Sequence, residues 1–514
     1  MAADLSEARP TVARDDENDR RREQLRTAMP WLLALVLFAL YAALAVRDQQ
    51  RMITTGYDLG IFDQAVRAYA HGHLPITTLK GSDYNLLGDH FSPIIATIAP
   101  FYLLWPSVYT LLLAQAALLA VAVVPLSRWA TAELGARAGL AVGVIYGLSW
   151  GIAAAAGFDF HEVAFGVPLL AFSATALGRN RPRAALLWAL PLLLVKEDLG
   201  FTVAVVGVLA ATRGAKRLGW AVALLGIAGS ALEMKVLIPA VNPAGYAYTS
   251  TLFSGGPAHA GLISHLFYDA THLFIPHVKI ITIIQLLAPT AFLAVRSRLI
   301  WLAVPTLAWR FLSADMVYWG TMFQYSAVLM PIVTAAFIEA LIRRRDRARA
   351  AAESSTQASA ELSESSEPPA QTSATSARTI RQWWRRVGRI SPLVVGLVVT
   401  AVLFPRYPVA RVFLPSTWST PPRVAVARSV LQRIPDDATV SASNTLIPQL
   451  TDRTTVYLFD PTTLGSVAWI VLDTQSDNVY PELTPAGFAQ LVKTAEHDGF
   501  QVVEDLDGYL LLHR

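Results

Sequence analysis

The chain has 514 residues, of which 54% are hydrophobic and only 16% charged, whereas a soluble domain carries roughly 25% charged residues and needs them on its surface. A net charge of +4 from 42 basic and 38 acidic residues is too small for a nucleic-acid binder, and the absence of cysteine excludes disulfides, thiolate metal sites and cysteine nucleophiles. Lipid must cover much of this chain.

Apolar runs lie near 30–46, 107–127, 137–156, 162–178, 183–196, 199–212, 218–238, 277–295, 299–314, 322–342 and 389–404. A straight membrane helix needs about 20 residues, and most runs reach that once their flanks are included. The two runs on either side of Lys196-Glu197-Asp198 are short. With the N-terminus inside, basic residues collect in the inner connections, as the positive-inside rule requires: Arg128 and Arg137, Arg179 to Arg183, Arg213 to Arg217, Arg296 and Arg298, and Arg343 to Arg349. The expected fold is a polytopic α-helical membrane protein of about 11 spans, with its N-terminus inside and its C-terminus outside.

Residues 1–29 then form a cytoplasmic tail and 30–342 a transmembrane domain whose first outer loop is 47–106. Residues 1–46 also carry a signal-peptide reading through Ala43-Leu44-Ala45, but seven acids in the first 29 residues favour a signal anchor. Residues 343–388 read as a basic-flanked cytoplasmic linker. Its 351–377 stretch holds 11 Ser or Thr and no aromatic residue, which predicts disorder. A last span, 389–404, leads to residues 405–514, where helix-like runs (421–434, 485–496) alternate with extended ones (439–442, 454–459, 467–472, 500–504, 508–513). That pattern predicts a small extracytoplasmic α/β domain, and Asp507-Gly508 marks a two-residue hairpin.

In this topology the unusual polar residues fall on the outer face. The first loop holds Gly56-Tyr57-Asp58-Leu59-Gly60, Asp63 and Gly88-Asp89-His90-Phe91-Ser92-Pro93. The next outer turn is Asp159-Phe160-His161-Glu162, then comes Lys196-Glu197-Asp198, and the loop 239–276 adds His259, His265, Asp269 and His272, with His277 at its end. Such concentration on one face suggests a site. Each piece also has a structural reading: Asp159 as a helix cap ahead of Glu162, Ser92-Pro93 as a helix start, Asp58 as a turn residue, Glu233 and Lys235 as an ion pair. Three consecutive charges at 196–198 cost about 2.5–3.5 kcal/mol each near mid-membrane, so they pair with one another or line a wet cavity. Arg310, inside Trp309-Arg310-Phe311, is a second buried cation suited to phosphate. Asp89, His90, Asp159 and His161 suit a divalent metal, although nothing in their spacing requires one.

Taken in order, Tyr57-Asp58-Leu59-Gly60-Ile61-Phe62-Asp63-Gln64, Gly88 to Pro93, Phe158 to Glu162 and Lys196-Glu197-Asp198-Leu199-Gly200 resemble the bacterial predicted membrane proteins of the domain of unknown function 2079 family. That family is similar in turn to the GT-C superfamily of polytopic glycosyltransferases, which take a sugar from a polyprenyl-phosphate donor on the non-cytoplasmic face. The resemblance implies a catalytic carboxylate in the first outer loop, matched by Asp58. It also implies a membrane-surface helix after the polar-Pro segment, matched by 92–105, and a lysine at the outer end of a middle helix, matched by Lys196. Asp58 lacks the adjacent second carboxylate that some of these enzymes have, and Asp63 and Asp89 are the nearest substitutes.

The implied activity is a cell-membrane glycosyltransferase that moves a sugar from a polyprenyl-phosphate donor to an envelope glycan or protein acceptor. Asp58 would be the base. Lys196, Arg310 and His90 would hold phosphate, and Asp63, Asp89, Asp159, His161, Glu162, Glu197 and Asp198 would position sugar hydroxyls or cations. The residues leave two alternatives open, a non-catalytic transporter or lipid flippase and an envelope assembly protein.

Overall fold

The computed structural model describes residues 9–250, 275–364, 391–476 and 485–514. The fold is mostly helical, with a small sheet region near the C-terminus. Helix α1 (Arg9–Gln50) starts well before the expected first span, because the charged segment ahead of Thr27 continues the same helix. After the first loop come α2 (Val108–Val121) and α3 (Val123–Leu134), then α4 (Ala136–Gly147) and α5 (Trp150–Ala156), which are bent by 50° at their junction. They are followed by α6 (Val163–Gly178), α7 (Pro182–Ala189), α8 (Leu199–Ala211), α9 (Lys216–Leu232), α10 (His277–Leu287), α11 (Val304–Leu312), α12 (Leu329–Glu364) and α13 (Pro392–Leu403).

Among the described residues three helices are long and apolar enough to cross a membrane: Thr27–Gln50, Val108–Leu134 and Lys216–Val241. The bent pair makes a fourth if it is one span, and six further apolar helices have 10–17 residues. Helix α9 turns Leu218, Leu224, Leu225 and Ile227 outward, an apolar face that water would not tolerate. Its inner face packs on α8 through glycines. A Cβ on Gly207 would meet the Ala223 nitrogen at 2.6 Å, and one on Gly226 the Gly200 carbonyl at 2.4 Å. Without apolar solvent repulsion, this close backbone approach supplies the association of membrane helices.

Helix α12 corrects one expectation. Residues 343–364 continue the helix rather than starting a disordered linker, because Ala, Arg, Glu and Gln all have high helix propensity and no Pro intervenes before 368. The rest of that linker lies outside the described residues, as do His259, His265, Asp269 and His272.

The C-terminal unit closely follows the expected pattern. Helix α14 (Pro422–Leu431) precedes a five-stranded sheet. Its strands are βa (Thr439–Ala442), βb (Thr455–Leu458), βc (Trp469–Asp473), βd (Gln501–Leu506) and βe (Tyr509–His513). Strand βa pairs in parallel with βb and βc, and βe joins βc and βd antiparallel. Asp507 (φ 49°) and Gly508 (φ 82°) make the turn between βd and βe, both left-handed as a tight hairpin requires.

The first loop is folded, not extended. Helix Ile61–Ala70, a two-stranded ribbon (Ile76–Thr77 with Tyr84–Asn85) and a 3₁₀ turn Pro93–Ile98 leading into Ala99–Leu104 cover the end of the helical body. The last of these exposes Phe101, Leu103, Leu104 and Trp105, the face expected of a membrane-surface helix. Leu59, Phe62, Val66 and Leu79 share one apolar cluster with Val440, Ile447 and Val456. Loop and C-terminal unit are therefore fused through a common core.

Candidate functional site: a chamber beneath the first loop

Tyr57 and Asp58 sit on a single turn, Gly56–Gly60, between α1 and the loop helix. A Cβ on Gly56 or Gly60 would lie 2.5 or 2.9 Å from the Ile447 side chain, so glycine lets the C-terminal unit press directly on this turn. Asn444 then clamps it. Its backbone carbonyl accepts from the Gly56 N–H and its side-chain carbonyl from the Tyr57 N–H, each at 2.8 Å. From the other side Asp159 accepts the Thr55 N–H at 3.0 Å and also the Thr55 hydroxyl. Asp159 therefore does not cap α6, the reading its spacing to Glu162 suggested; Glu162 itself holds the N-cap position, with no side-chain cap hydrogen bond. Burial pushes the Asp159 carboxyl up to about 7.

Asp58 reaches His161, with Oδ1 3.2 Å from Nε2. Burial alone would lower the imidazole's proton affinity, but the facing Asp58 carboxylate overrides it and holds His161 above its ordinary range. The ring lies between Phe158 and Phe62, at centroid distances of 5.4 and 5.7 Å. Gln115, in the middle of α2, ties the whole turn: its amide donates to the carbonyls of Ala155, Phe158 and Asp159, and its carbonyl accepts the His161 N–H at 3.0 Å. The adjacent Glu162, 1% exposed, pairs with Lys196 at 3.2 Å. Residues from three distant stretches thus form one continuous chain of charge, 58 to 161, 162 to 196.

The Lys196-Glu197-Asp198 break divides its labour. Lys196 and Asp198 face the chamber, whereas Glu197 turns away and is fully buried. Glu197 accepts from His90 Nδ1 (2.7 Å), the Phe91 N–H (3.1 Å) and the Tyr246 hydroxyl (2.7 Å), and so fastens the first loop to the helical body. Beside it Asp89 pairs with Lys80 at 2.6 Å and accepts the Tyr248 hydroxyl at 3.2 Å. Tyr248 stacks on His90 at 4.4 Å. Burial works against the Asp89 carboxylate, yet the positive charge of His90 and Lys80 holds it below its ordinary range.

These groups line one end of a cavity of about 940 Å³. Asp58, Lys80, Asp89, His90, Glu162 and Lys196 make that end polar. At the other end the walls are Phe201, Val205, Ile227, Val304, Ala308 and Leu312, from α8, α9 and α11. Phe201, Ile227 and Val304 keep accessible apolar surface, so this part of the wall offers uncovered hydrocarbon contact.

Four expected site residues, Asp63, Asp159, Glu197 and Arg310, do not line the chamber. Arg310 is fully buried, and its guanidinium donates to the carbonyls of Tyr318 (2.8 Å), Gly320 (2.7 Å) and Tyr325 (3.4 Å) and to the Ser326 hydroxyl (3.0 Å). It ties down the turn after α11. Asp63 is likewise fully buried, against Tyr102, whose hydroxyl donates to it at 3.2 Å. Nor do Glu233 and Lys235 pair. Glu233 is buried with one carboxylate oxygen unpartnered, since residues two apart on a helical turn do not face each other. The four residues considered for a metal do not converge: Asp89, His90 and Asp159 are committed to Lys80, Glu197 and Thr55. Among the described residues no three His, Asp or Glu form a metal-binding group.

Sequence reasoning missed Lys80, the only lysine in 47–106, and the positioning residues Asn444 and Gln115. A lone lysine in an acidic, aromatic loop, and a glutamine inside an otherwise apolar span, were the available signals.

Asp63 allows a clean stability test. Burial pushes its carboxyl from 3.8 to about 7, so the folded chain binds a proton that the unfolded chain has lost between those values, and stability falls as pH rises through them. Above pH 7 the burden levels off at roughly 4 kcal/mol. Asp63→Asn keeps an acceptor for Tyr102 and removes the burden. Its thermal midpoint in detergent should match the wild type near pH 4 and exceed it at pH 8. An equal difference at both pH values would contradict the assignment.

Fold and chamber together describe a membrane protein with a mostly helical body and a small sheet region near its C-terminus. The chain belongs to the family described as predicted membrane protein, DUF2079, whose profile matches residues 48–511. No curated protein matches it. Among solved structures, ArnT from Cupriavidus metallidurans bound to undecaprenyl phosphate superposes with a TM-score of 0.50 at 14% identity, covering 93% of this chain and 97% of that one. Its apo state gives 0.48 at 14% identity over 94% and 98%. The archaeal oligosaccharyltransferase AglB from Archaeoglobus fulgidus, in complex with an inhibitory peptide and a dolichol-phosphate, gives 0.33 at 10% identity over 86% and 69%. The first of these shows a shared fold.

Proposed function

We propose that the protein is an integral-membrane glycosyltransferase that takes a sugar from a polyprenyl-phosphate donor and delivers it to a cell-envelope acceptor. The observation that carries this reading is a chamber with two kinds of wall: carboxylates and two lysines on the one hand, and apolar side chains from α8, α9 and α11 on the other. Such a shape suits a lipid phosphate whose chain stays in the bilayer while its headgroup enters the protein. The fold shared with ArnT, which was crystallised with undecaprenyl phosphate, supports the same donor class.

In this reading Asp58 takes the proton of the acceptor hydroxyl as its oxygen bonds to the anomeric carbon. The bond from that carbon to the phosphate oxygen breaks, and its electron pair stays on the phosphate. Lys196 and Lys80 stabilise the growing charge, His161 orients Asp58, and Glu162 holds Lys196 in place. Asp89, His90, Asp159, Glu197 and Asp198 shape and fasten the chamber, while Arg310 and Asp63 serve the fold. The run of arginines in alternate connections supports eleven spans, several bent or short, with the chamber and the C-terminal unit on the outer face of the cell membrane.

Removing the protein from its cell tests the reading directly. One sugar carried on polyprenyl phosphate should accumulate, and the same sugar should disappear from an envelope glycan or glycoprotein. An unchanged pool of lipid-linked sugars, measured by mass spectrometry of lipid extracts, would refute it.

A further inference from the structure

A second cavity, of about 380 Å³, lies between the first loop and the edge of the C-terminal sheet. It shares Tyr57 and Lys80 with the large chamber, so the two spaces meet at the residue next to Asp58. We propose that this cleft is the acceptor subsite and that it takes a neutral saccharide.

Three observations point there. First, hydroxyl groups line the cleft: those of Ser82, Tyr457 and Ser466 make no hydrogen bond to another described residue, and the two serines are exposed. Asp460 spends one carboxylate oxygen, Oδ1, on the Thr462 N–H and hydroxyl and leaves Oδ2 for a ligand. Polyhydroxylated ligands are recognised by such sets of donors and acceptors beside aromatic faces, and Tyr57 and Tyr457 supply the faces. Second, the charges cancel. The lining contains one lysine and one aspartate, and the lysine is already paired to Asp89 at 2.6 Å. In the transferase reading Lys80 also faces the donor phosphate, so an acidic glycan would find no further cation in the cleft, and a cationic acceptor would find only Asp460.

Third, the walls are held rigidly enough to select. The Thr78 hydroxyl and the Gln64 amide donate to the Val456 carbonyl on edge strand βb, at 2.6 and 3.0 Å. Gln64 also accepts from the Thr77 hydroxyl (2.7 Å) and the Thr78 N–H (3.0 Å). This staple covers the strand edge that a peptide would otherwise use for pairing, which favours a saccharide over an extended polypeptide acceptor. Lys80, poised over the rings of Tyr57 and Tyr84 at 5.4 and 5.6 Å, stands where the two spaces join.

The inference rests on the transferase reading for the word acceptor, and the experiment separates the two. Full-length protein in nanodiscs is titrated with chitotriose and maltotriose as neutral probes, with a glucuronic acid trimer as the acidic probe, and in parallel with undecaprenyl phosphate. Wild type should bind a neutral trimer in preference to the acidic one. Ser466→Trp and, on the opposite wall, Ser82→Trp should each weaken that binding at least tenfold and leave undecaprenyl phosphate binding unchanged. Two variants on separate elements guard against one failing to fold. Absence of neutral saccharide binding, preference for the acidic trimer, or binding as tight as wild type in both tryptophan variants would overturn the proposal. Saccharide binding that responds to the tryptophans without any undecaprenyl phosphate binding would overturn the donor reading alone.

Discussion

Asp58→Asn should reduce sugar transfer by about 10²–10⁴-fold, the usual range for losing a general base, while leaving the protein folded and able to bind undecaprenyl phosphate. The amide is isosteric with the carboxylate and can still face His161, so the turn Gly56–Gly60 keeps its clamp from Asn444 and Thr55. What it cannot do is accept a proton from an attacking hydroxyl. Asp159→Asn supplies the contrast. Asp159 acts only through Thr55, and an amide oxygen still accepts the Thr55 N–H, so this change should cost less than tenfold. Transfer from a lipid-linked donor by protein in vesicles measures both. If Asp58→Asn turns over at near wild-type rate, or if both substitutions reduce the rate equally, Asp58 is not the base. In the second case the turn matters only as structure.

The contrast between these two aspartates also shows where residue patterns inform and where they stop. The four motifs converge because each is a polar interruption in an apolar chain, and interruptions in lipid have few places to go. The sheet was legible for a similar reason: alternating short runs and the Asp507-Gly508 turn leave little freedom in register. Within each motif the direction of a side chain was not legible. Lys196 and Glu197 are neighbours, yet one faces the chamber and the other binds the first loop through His90. Arg310 carries the residue type that best fits phosphate, but the turn 318–326 folds its own carbonyls around the guanidinium. Those partners come from a tertiary arrangement that spacing does not encode. Lys80 escaped notice because its setting, a short ribbon resting on strand βb, depends on contacts with residues almost four hundred positions away.

Lys196 demands a test that separates binding from folding, because its pairing with Glu162 would make either loss look alike. Lys196→Met alone leaves a carboxylate with 1% exposure unpaired, and breaking a buried ion pair from one side typically costs about 3–5 kcal/mol. Low expression or a lowered thermal midpoint is therefore expected from the single substitution whatever its function. Glu162→Gln with Lys196→Met removes both charges, and replacing a buried pair by groups of similar size is often neutral, so the double variant should recover most of the stability. Undecaprenyl phosphate binding should not recover with it. A charge-assisted hydrogen bond contributes about 1.5–3 kcal/mol, so the double variant should bind the lipid phosphate roughly 10- to 150-fold more weakly than wild type. Glu162→Gln alone should bind at least as tightly as wild type, since it frees the ammonium for the ligand. Wild-type affinity in a well-folded double variant would show that Lys196 serves only to neutralise Glu162, and the phosphate would then have to rest on Lys80.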